Sequence, residues 1–370
     1  MIKKMAFCAA LMLSIAGASV FARGKQQQQS GTPAGTITVR LLTDSSGIDD
    51  KSFNAAAWRG ILEFYGDTWT NTRQRGGAYD VVVAQTQDMY IPNLQQATDE
   101  QYDLIVTAGF TFADALTEVA TGNPSQKYMI LDVDSVKLPN VLEALFAEHE
   151  GSYLVGVVAA LKAQADGIEN PKFGFIGGIP GGTITKFEVG FVQGVLAILP
   201  DAQIVDYYVN SWSEPGLAKT QAKTWYDSGV YAIYSAAGSS GNGTIAQAKE
   251  YRIQGKNIWA IGVDSDQHEE GLYTDTESAV LTSMIKRVES GVLYGLKAVK
   301  NNTFKGEVIT LGVKAAGVGY STMNPAITAD IQNQVETIKE QIISGQISVV
   351  RTHAEAQKLN GFPQDLKALD

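Results

Sequence analysis

Carboxylates, flat rings and one lysine recur in a single kind of place along this chain, directly after short apolar runs. Asp44 ends "ITVRLLTD", and Phe53 and Asn54 follow it closely. Gly109 and Asp114 stand in "AGFTFAD", and Asp132 and Asp134 close "ILDVD". Farther on, glycines 177, 178, 181 and 182 follow "KFGFI", and Trp212 lies in "VNSWSEPG". Gly238 lies in "SAAGSSGNG", Asp264 and Asp266 in "GVDSDQ", and Lys286 ends "TSMIK". Ring faces can pack on a planar molecule, carboxylates accept from amines and hydroxyls, and a lysine donates. The set holds aromatic rings, carboxylates, glycines and one lysine.

Catalytic readings of the same residues lack their partners. The glycine loop at 177–182 is followed by no Gly-Lys-Ser/Thr and contains no GxGxxG, so a tight strand-to-helix turn is the better reading. No GxSxG frames a nucleophilic serine. His149, His268 and His353 are scattered, and "DVDS" and "DSDQ" sit in no twelve-residue calcium frame. Asp44 and Asp264, taken singly, read equally well as strand ends or helix caps. Asp49, Asp50 and Ser52 read as capping groups. Trp58 falls on an apolar helical stripe and reads as core, whereas Phe53 precedes that stripe among polar neighbours.

The elements that must position these groups alternate along the chain. "ITVRLLTD", "YDVVVAQT", "YDLIVTAG" and "KYMILDVD" are strand-like, and helical periods such as "FNAAAWRGILEFYG" lie between them. The runs are rich in Val, Ile and Leu without strict alternation, as in parallel strands buried on both faces. The rhythm restarts after "AEHEGSYLVG", near residue 148, with "KFGFIGGI", "AQIVDYYV", "VYAIYSAAG" and "NIWAIGVD" as its strands. Two doubly wound α/β units follow, and ligands of such sheets bind beyond the carboxyl ends of the strands. The less regular chain after Asp266 is expected to complete both sheets. That places 36–147 with about 270–305 in lobe 1, 148–269 with about 306–350 in lobe 2, and 351–370 in a C-terminal tail.

Totals narrow the choice of partner. The chain has 370 residues and a formal net charge of -10, which excludes the basic face that nucleic-acid binding requires. Lys3, Lys4 and the apolar "MAFCAALMLSIAGA" form a secretory leader, residues 1–22, with cleavage expected after Ala22. The only cysteine, Cys8, lies inside it and too early to carry a lipid, so the mature chain is expected to have no disulfide and no lipid anchor. "RGKQQQQSGTPAG", residues 23–35, reads as a flexible linker.

"GIDDKSFNAAAWRGI", "AEHEGSYLVGVVAAL", "KFGFIGG", "YSAAGSSGNG" and "AIGVDSDQ" together resemble the basic membrane protein family of bacterial substrate-binding proteins, which includes purine nucleoside receptors of spirochaetes. The resemblance runs over nearly all of residues 36–350. It implies a type I periplasmic-binding-protein fold, two doubly wound parallel-sheet lobes joined by three crossovers, with a nucleoside closed between them. By that resemblance Phe53 and Trp212 stack on the base, and Asp44, Asn54 and Asp114 bond its edge. Gly238, Asp264 and Lys286 hold the ribose. Trp212 stands where the family usually has phenylalanine. The resemblance further implies no cofactor, no metal and no catalysis. It implies a monomer outside the cytoplasmic membrane, in the periplasm or at the membrane's outer face, that delivers a nucleoside to ABC permease subunits. The rival ligand is a sugar on the same frame. Remoter rivals are a nucleoside hydrolase, which lacks a metal-binding acid cluster, and a transcriptional regulator, which would need a basic helix-turn-helix where the leader stands.

Overall fold

The apolar runs form strands wherever expected, and helices cover both faces of the sheets they build. The computed structural model describes residues 36–69, 74–75 and 77–367; the expected leader with Cys8 and the linker lie outside them. The first unit runs β1 (Val39–Thr43), α1 (Phe53–Tyr65), β2 (Gln74–Arg75), β3 (Tyr79–Val83), α2 (Tyr90–Asp99), β4 (Leu104–Thr107), α3 (Ala113–Gly122), β5 (Tyr128–Leu131) and β6 (Val141–Phe146). Every residue of β1, β4 and β5 is buried, as two-sided covering requires.

The chain then crosses into α4 (Glu148–Ala165), β7 (Lys172–Gly177), α5 (Gly182–Ile198), β8 (Gln203–Tyr208), α6 (Pro215–Asp227), β9 (Val230–Ala236), α7 (Asn242–Ile253), β10 (Trp259–Asp264) and β11 (Val280–Lys286). It continues through α8 (Val288–Lys300), β12 (Val308–Leu311), β13 (Val318–Tyr320), α9 (Ala329–Ile343) and α10 (His353–Ala356). Lobe 1 has the strand order β12-β6-β5-β4-β1-β3-β2, and lobe 2 has β13-β11-β10-β9-β7-β8. Pairing is parallel except at β2 and β13, which lie antiparallel at sheet edges. This is the type I periplasmic-binding-protein fold.

The late segments sort differently from the expected boundaries. β11, expected in lobe 1, pairs in parallel with β10 of lobe 2. β12, expected in lobe 2, pairs in parallel with β6 of lobe 1. α8 does pack on α1 in lobe 1. The crossovers therefore fall after β6, after β11 and after β12. The reason is edge pairing: β10 and β6 each offer an open ladder edge, and nothing local in a strand says which edge it will fill. The segment 351–367 packs against lobe 2, with Phe362 and Leu366 buried beside Val189 and Val192.

One packing contact fixes the first crossover. α4 and α5 cross so closely that a Cβ on Gly156 would come within 2.3 Å of the Phe191 carbonyl oxygen, and one on Gly194 within 2.1 Å of the Tyr153 carbonyl oxygen. Those glycines let the two backbones touch, which holds the first turn of α4 and its Glu148 beneath the cleft.

Candidate functional site

The carboxyl ends of the two sheets face one another across a cleft whose empty space, open solvent included, is about 550 Å³. Residues at or after the carboxyl ends of eight strands, β1, β4, β5, β7, β8, β9, β10 and β11, line it, and each wall is built by local chain geometry.

On the lobe 1 wall, Asp44 follows β1 directly. Its Oδ1 accepts from the Ser46 backbone N–H at 2.9 Å and from Asn54 Nδ2 at 3.0 Å. That second bond turns the Asn54 amide, whose Oδ1 is buried without a partner. Asp50 closes the turn into α1 by accepting backbone N–H bonds from Ser52, Asn54 and Ala55 at 3.0, 2.8 and 2.9 Å. Burial nevertheless pushes its carboxyl up to about 7, against those three bonds. The turn delivers Phe53, the first residue of α1, as a half-buried ring on the cavity wall. Gly109, at φ 106°, turns the chain after β4 and brings Phe110 to the same wall.

On the lobe 2 wall, Trp212 packs against Gly178, where a Cβ would come within 2.0 Å of the indole. Its ring meets Phe110 across the cleft edge-on, with centroids 5.8 Å apart and planes at 77°. Ile184 and Phe187 of α5 complete the apolar floor, and Gly238, at φ 55°, opens the turn after β9. The glycine loop after β7 is the tight turn read from sequence: Gly177 and Gly178 make room for the Tyr208 and Trp212 rings.

The charges form one buried cluster. Lys286 Nζ, in a residue 1% exposed, lies 2.6 Å from Asp132 Oδ2 and 3.0 Å from Glu148 Oε1. Glu148 also takes Lys186 at 3.2 Å. Burial works against the Lys286 charge, yet Asp132, Glu148 and Asp264 together hold its pKa above the ordinary value. Burial would raise Glu148, but Lys286 and Lys186 outweigh it and hold this carboxyl down. Asp132 is raised to about 6, chiefly by burial, although Lys286 opposes the shift. Its Oδ1 is buried without a partner. Burial also raises Asp264, whose Oδ2 accepts from Ser52 Oγ across the cleft at 2.5 Å. Lys286 Nζ stands 4.8 Å from the Phe53 ring centre and 5.2 Å from that of Phe187, so the cation is walled by ring faces.

Of the sequence-predicted residues, Asp44, Phe53, Asn54, Trp212, Gly238, Asp264 and Lys286 all line this cavity. Asp114 does not. It lies exposed in the first turn of α3, because the turn after β4 spends its cavity-facing positions on Gly109, Phe110 and Thr111. The carboxylate that does face the cavity from this side of lobe 1 is Asp132, at the end of β5. It stood in the same strand-end pattern as Asp264 and could have been chosen on that ground. Glu148, where the rhythm restarts, and Phe110, in "AGFTFAD", are not among the predicted site residues, yet both stand at this site.

Comparisons with known proteins agree with the architecture. The profile of the Bmp family, described as ABC transporter substrate-binding protein PnrA-like, matches residues 37–353. A Listeria innocua protein named CD4+ T-cell-stimulating antigen is 35% identical over 360 residues, covering 94% of this chain and 99% of its own. The ABC transporter nucleoside-binding protein BmpA of Lactococcus lactis is 32% identical over 348 residues, covering 91% of this chain and 96% of its own. Among solved structures, an ABC transporter solute-binding protein from Aeropyrum pernix superimposes with a TM-score of 0.73 at 27% identity, over 87% of this chain and 95% of that one. A family profile across most of the chain, on a two-lobed fold with a ligand-sized cavity between the lobes, makes this chain a member of the Bmp family of PnrA-like ABC transporter substrate-binding proteins: an extracytoplasmic receptor that hands a solute to a permease, and not an enzyme.

Proposed function

We propose that the solute is a nucleoside, with a purine base held between Phe53 of lobe 1 and Trp212 of lobe 2. The observation that carries this reading is that an aromatic side chain from each lobe, Phe53 and Trp212, lines one cavity together with two buried, unpartnered acceptors, Asn54 Oδ1 and Asp132 Oδ1. A nucleoside brings N–H groups on its base and vicinal hydroxyls on its sugar to meet them. Asp44 and Asn54 read the base edge, while Asp132, Asp264, Lys286 and the turn at Gly238 hold the ribose. The nucleoside-binding relative from Lactococcus lactis supports the same reading.

Stacking contributes about 1–3 kcal/mol per base by ring removal, and hydrogen bonds to charged groups about 1.5–3 kcal/mol each. Two rings and three or four such bonds together supply about 6–18 kcal/mol against an association cost of about 4–15 kcal/mol, and the surplus sets the affinity. Nucleotides are excluded, because the lining's cation, Lys286, is already engaged by Asp132 and Glu148, leaving a phosphate facing acids.

Isothermal calorimetry with adenosine, guanosine, inosine, uridine, ribose and adenosine monophosphate tests the proposal. Purine nucleosides bind and the monophosphate does not. Binding of ribose or another sugar in their place, or of the monophosphate as tightly as adenosine, would sink it. Mass spectrometry of the molecule that co-purifies gives an independent answer. In this reading the chain is a monomer, exported by its leader and cleaved after Ala22; N-terminal sequencing of the exported protein checks that step.

A further inference from the structure

The turn into α1 also meets lobe 2 outside the cavity. Three backbone N–H bonds to the Asp50 carboxylate close the turn on itself, and Lys51 within it holds a φ of 60°, in the left-handed region. The result is a stiff hook whose carbonyls are taken up by side-chain amides of the other lobe. Asn242 Nδ2, at the start of α7, donates to the Asp50 carbonyl at 3.1 Å. Gln267 Nε2, in the loop after β10, donates to the Lys51 carbonyl at 3.2 Å. The two amides meet as well, with Gln267 Nε2 3.3 Å from Asn242 Oδ1. Gln267 is held in place by its own lobe, because its Oε1 accepts the Val263 N–H at 3.0 Å and its backbone N–H donates to Ser283 Oγ at 3.0 Å. Neither Asn242 nor Gln267 lines the cavity.

We infer that Asn242 and Gln267 are a clasp that sets how readily the lobes close, and thereby the affinity for every ligand, without touching any ligand. The hook's bonds to the clasp exist only when the lobes meet, so whatever they contribute favours the closed form. A ligand gripped from both lobes binds that form, and its apparent affinity scales with the closed fraction. The neighbouring Lys51–Glu270 pair, at 3.5 Å with both side chains largely exposed, adds little to this. A clasp residue therefore changes all affinities by one factor, whereas a cavity residue changes them selectively. The inference rests on the proposed nucleoside only for the choice of probe.

The test reads closure without a ligand. Ser45 Oγ and Ser213 Oγ lie 3.2 Å apart across the cleft mouth. Cysteines placed there, in a Cys8→Ser background, form a disulfide at a rate that reports how often the lobes close. Asn242→Ala, and Gln267→Glu, which keeps the acceptor for Val263, each slow that rate by about three- to tenfold, the range expected for one or two lost neutral hydrogen bonds. In the parent serine background the same variants raise the Kd of adenosine and guanosine by a common factor of that size, through faster dissociation. Rates equal to the parent's in both variants would overturn the inference. So would a loss that differs between the two nucleosides, which would place these residues in the binding site. Should the parent bind no nucleoside, the proposed ligand is wrong, and the cross-linking rates still decide for or against the clasp.

Discussion

Asp132 in lobe 1 and Asp264 in lobe 2 occupy the same place in their sheets, at the ends of β5 and β10, and both adopt left-handed backbone, φ 66° and 62°. The next strand out repeats the likeness. β6 leads through Ala147 (φ -88°, ψ 65°) into α4, and β11 leads through Arg287 (φ -80°, ψ 63°) into α8. The backbones match, but the side chains do not. Where lobe 1 has Phe146 and Glu148, lobe 2 has Lys286 and Val288. One repeated device thus yields a cation from one lobe and an acid from the crossover of the other, and they meet at 3.0 Å. Each strand-end aspartate is also met from across the cleft, Asp132 by Lys286 and Asp264 by Ser52. The lesson is that the fold supplies paired positions, and the site arises where the pairing is broken.

The largest effect is expected at the least symmetric position. Lys286→Met leaves Asp132 without its cation and Glu148 with Lys186 alone in a buried site. It should cost about 3–5 kcal/mol in urea unfolding and abolish nucleoside binding in the calorimeter. The equivalent change in lobe 1, Phe146→Leu, should cost less than about 1.5 kcal/mol. Equal costs would mean the cluster contributes no more than apolar packing does.

A second contrast lies beneath the sheets. Lobe 1 buries Asp80 against Arg40 through two bonds of 2.6 and 2.8 Å. Lobe 2 buries Glu188 with the Tyr208 hydroxyl at 2.5 Å, and burial pushes Glu188 up to about 8. A carboxyl raised from 4.5 to about 8 binds its proton more tightly folded than unfolded, so stability is greatest below the unfolded value and falls as pH rises toward 8. The loss should be on the order of 3 kcal/mol, and Glu188→Gln should flatten it. Denaturation curves at pH 5, 7 and 8.5 on both proteins check this. A parent whose stability is level over that range removes the contrast.

The stacking walls differ too, because Trp212 depends on a notch. Gly178→Ala should displace the indole and weaken nucleoside binding by about 1–3 kcal/mol, as much as Trp212→Ala, with the double variant no worse than either. Additive losses would show that Gly178 acts on something other than the ring. The smallest effect is expected at Asp114: Asp114→Ala should change affinity by less than about twofold, whereas Asp132→Asn should weaken it by about tenfold or more. The reverse order would restore the assignment made from sequence.

Much of this is legible in the sequence. The alternation of buried runs with helical periods set two doubly wound units, because strands covered on both faces must be apolar along their length. The list of groups following each strand contained about half of the cavity lining, including Asp44, Asp132, Asp264 and Lys286, since ligands of parallel sheets sit at the carboxyl ends. The failures were of one kind. Asp114 and Asp132 are both acids near strand ends, and only the direction of the turn after β4 or β5 separates them. β11 and β12 were assigned to the wrong lobes because a strand's letters do not name its partner.

The sequence by itself determined which residues could stack, accept or donate, and that they would gather at strand ends, because burial periodicity and turn chemistry are local properties. Only the tertiary structure decided that Lys286, Asp132 and Glu148 form one charge cluster, that Phe110 meets Trp212, and that Asn242 and Gln267 clasp the hook at Asp50–Lys51. Those contacts join residues far apart in the chain and in different lobes. They depend on which sheet edge each late strand fills and on how closely two helices can cross, and neither is written in any short stretch of residues.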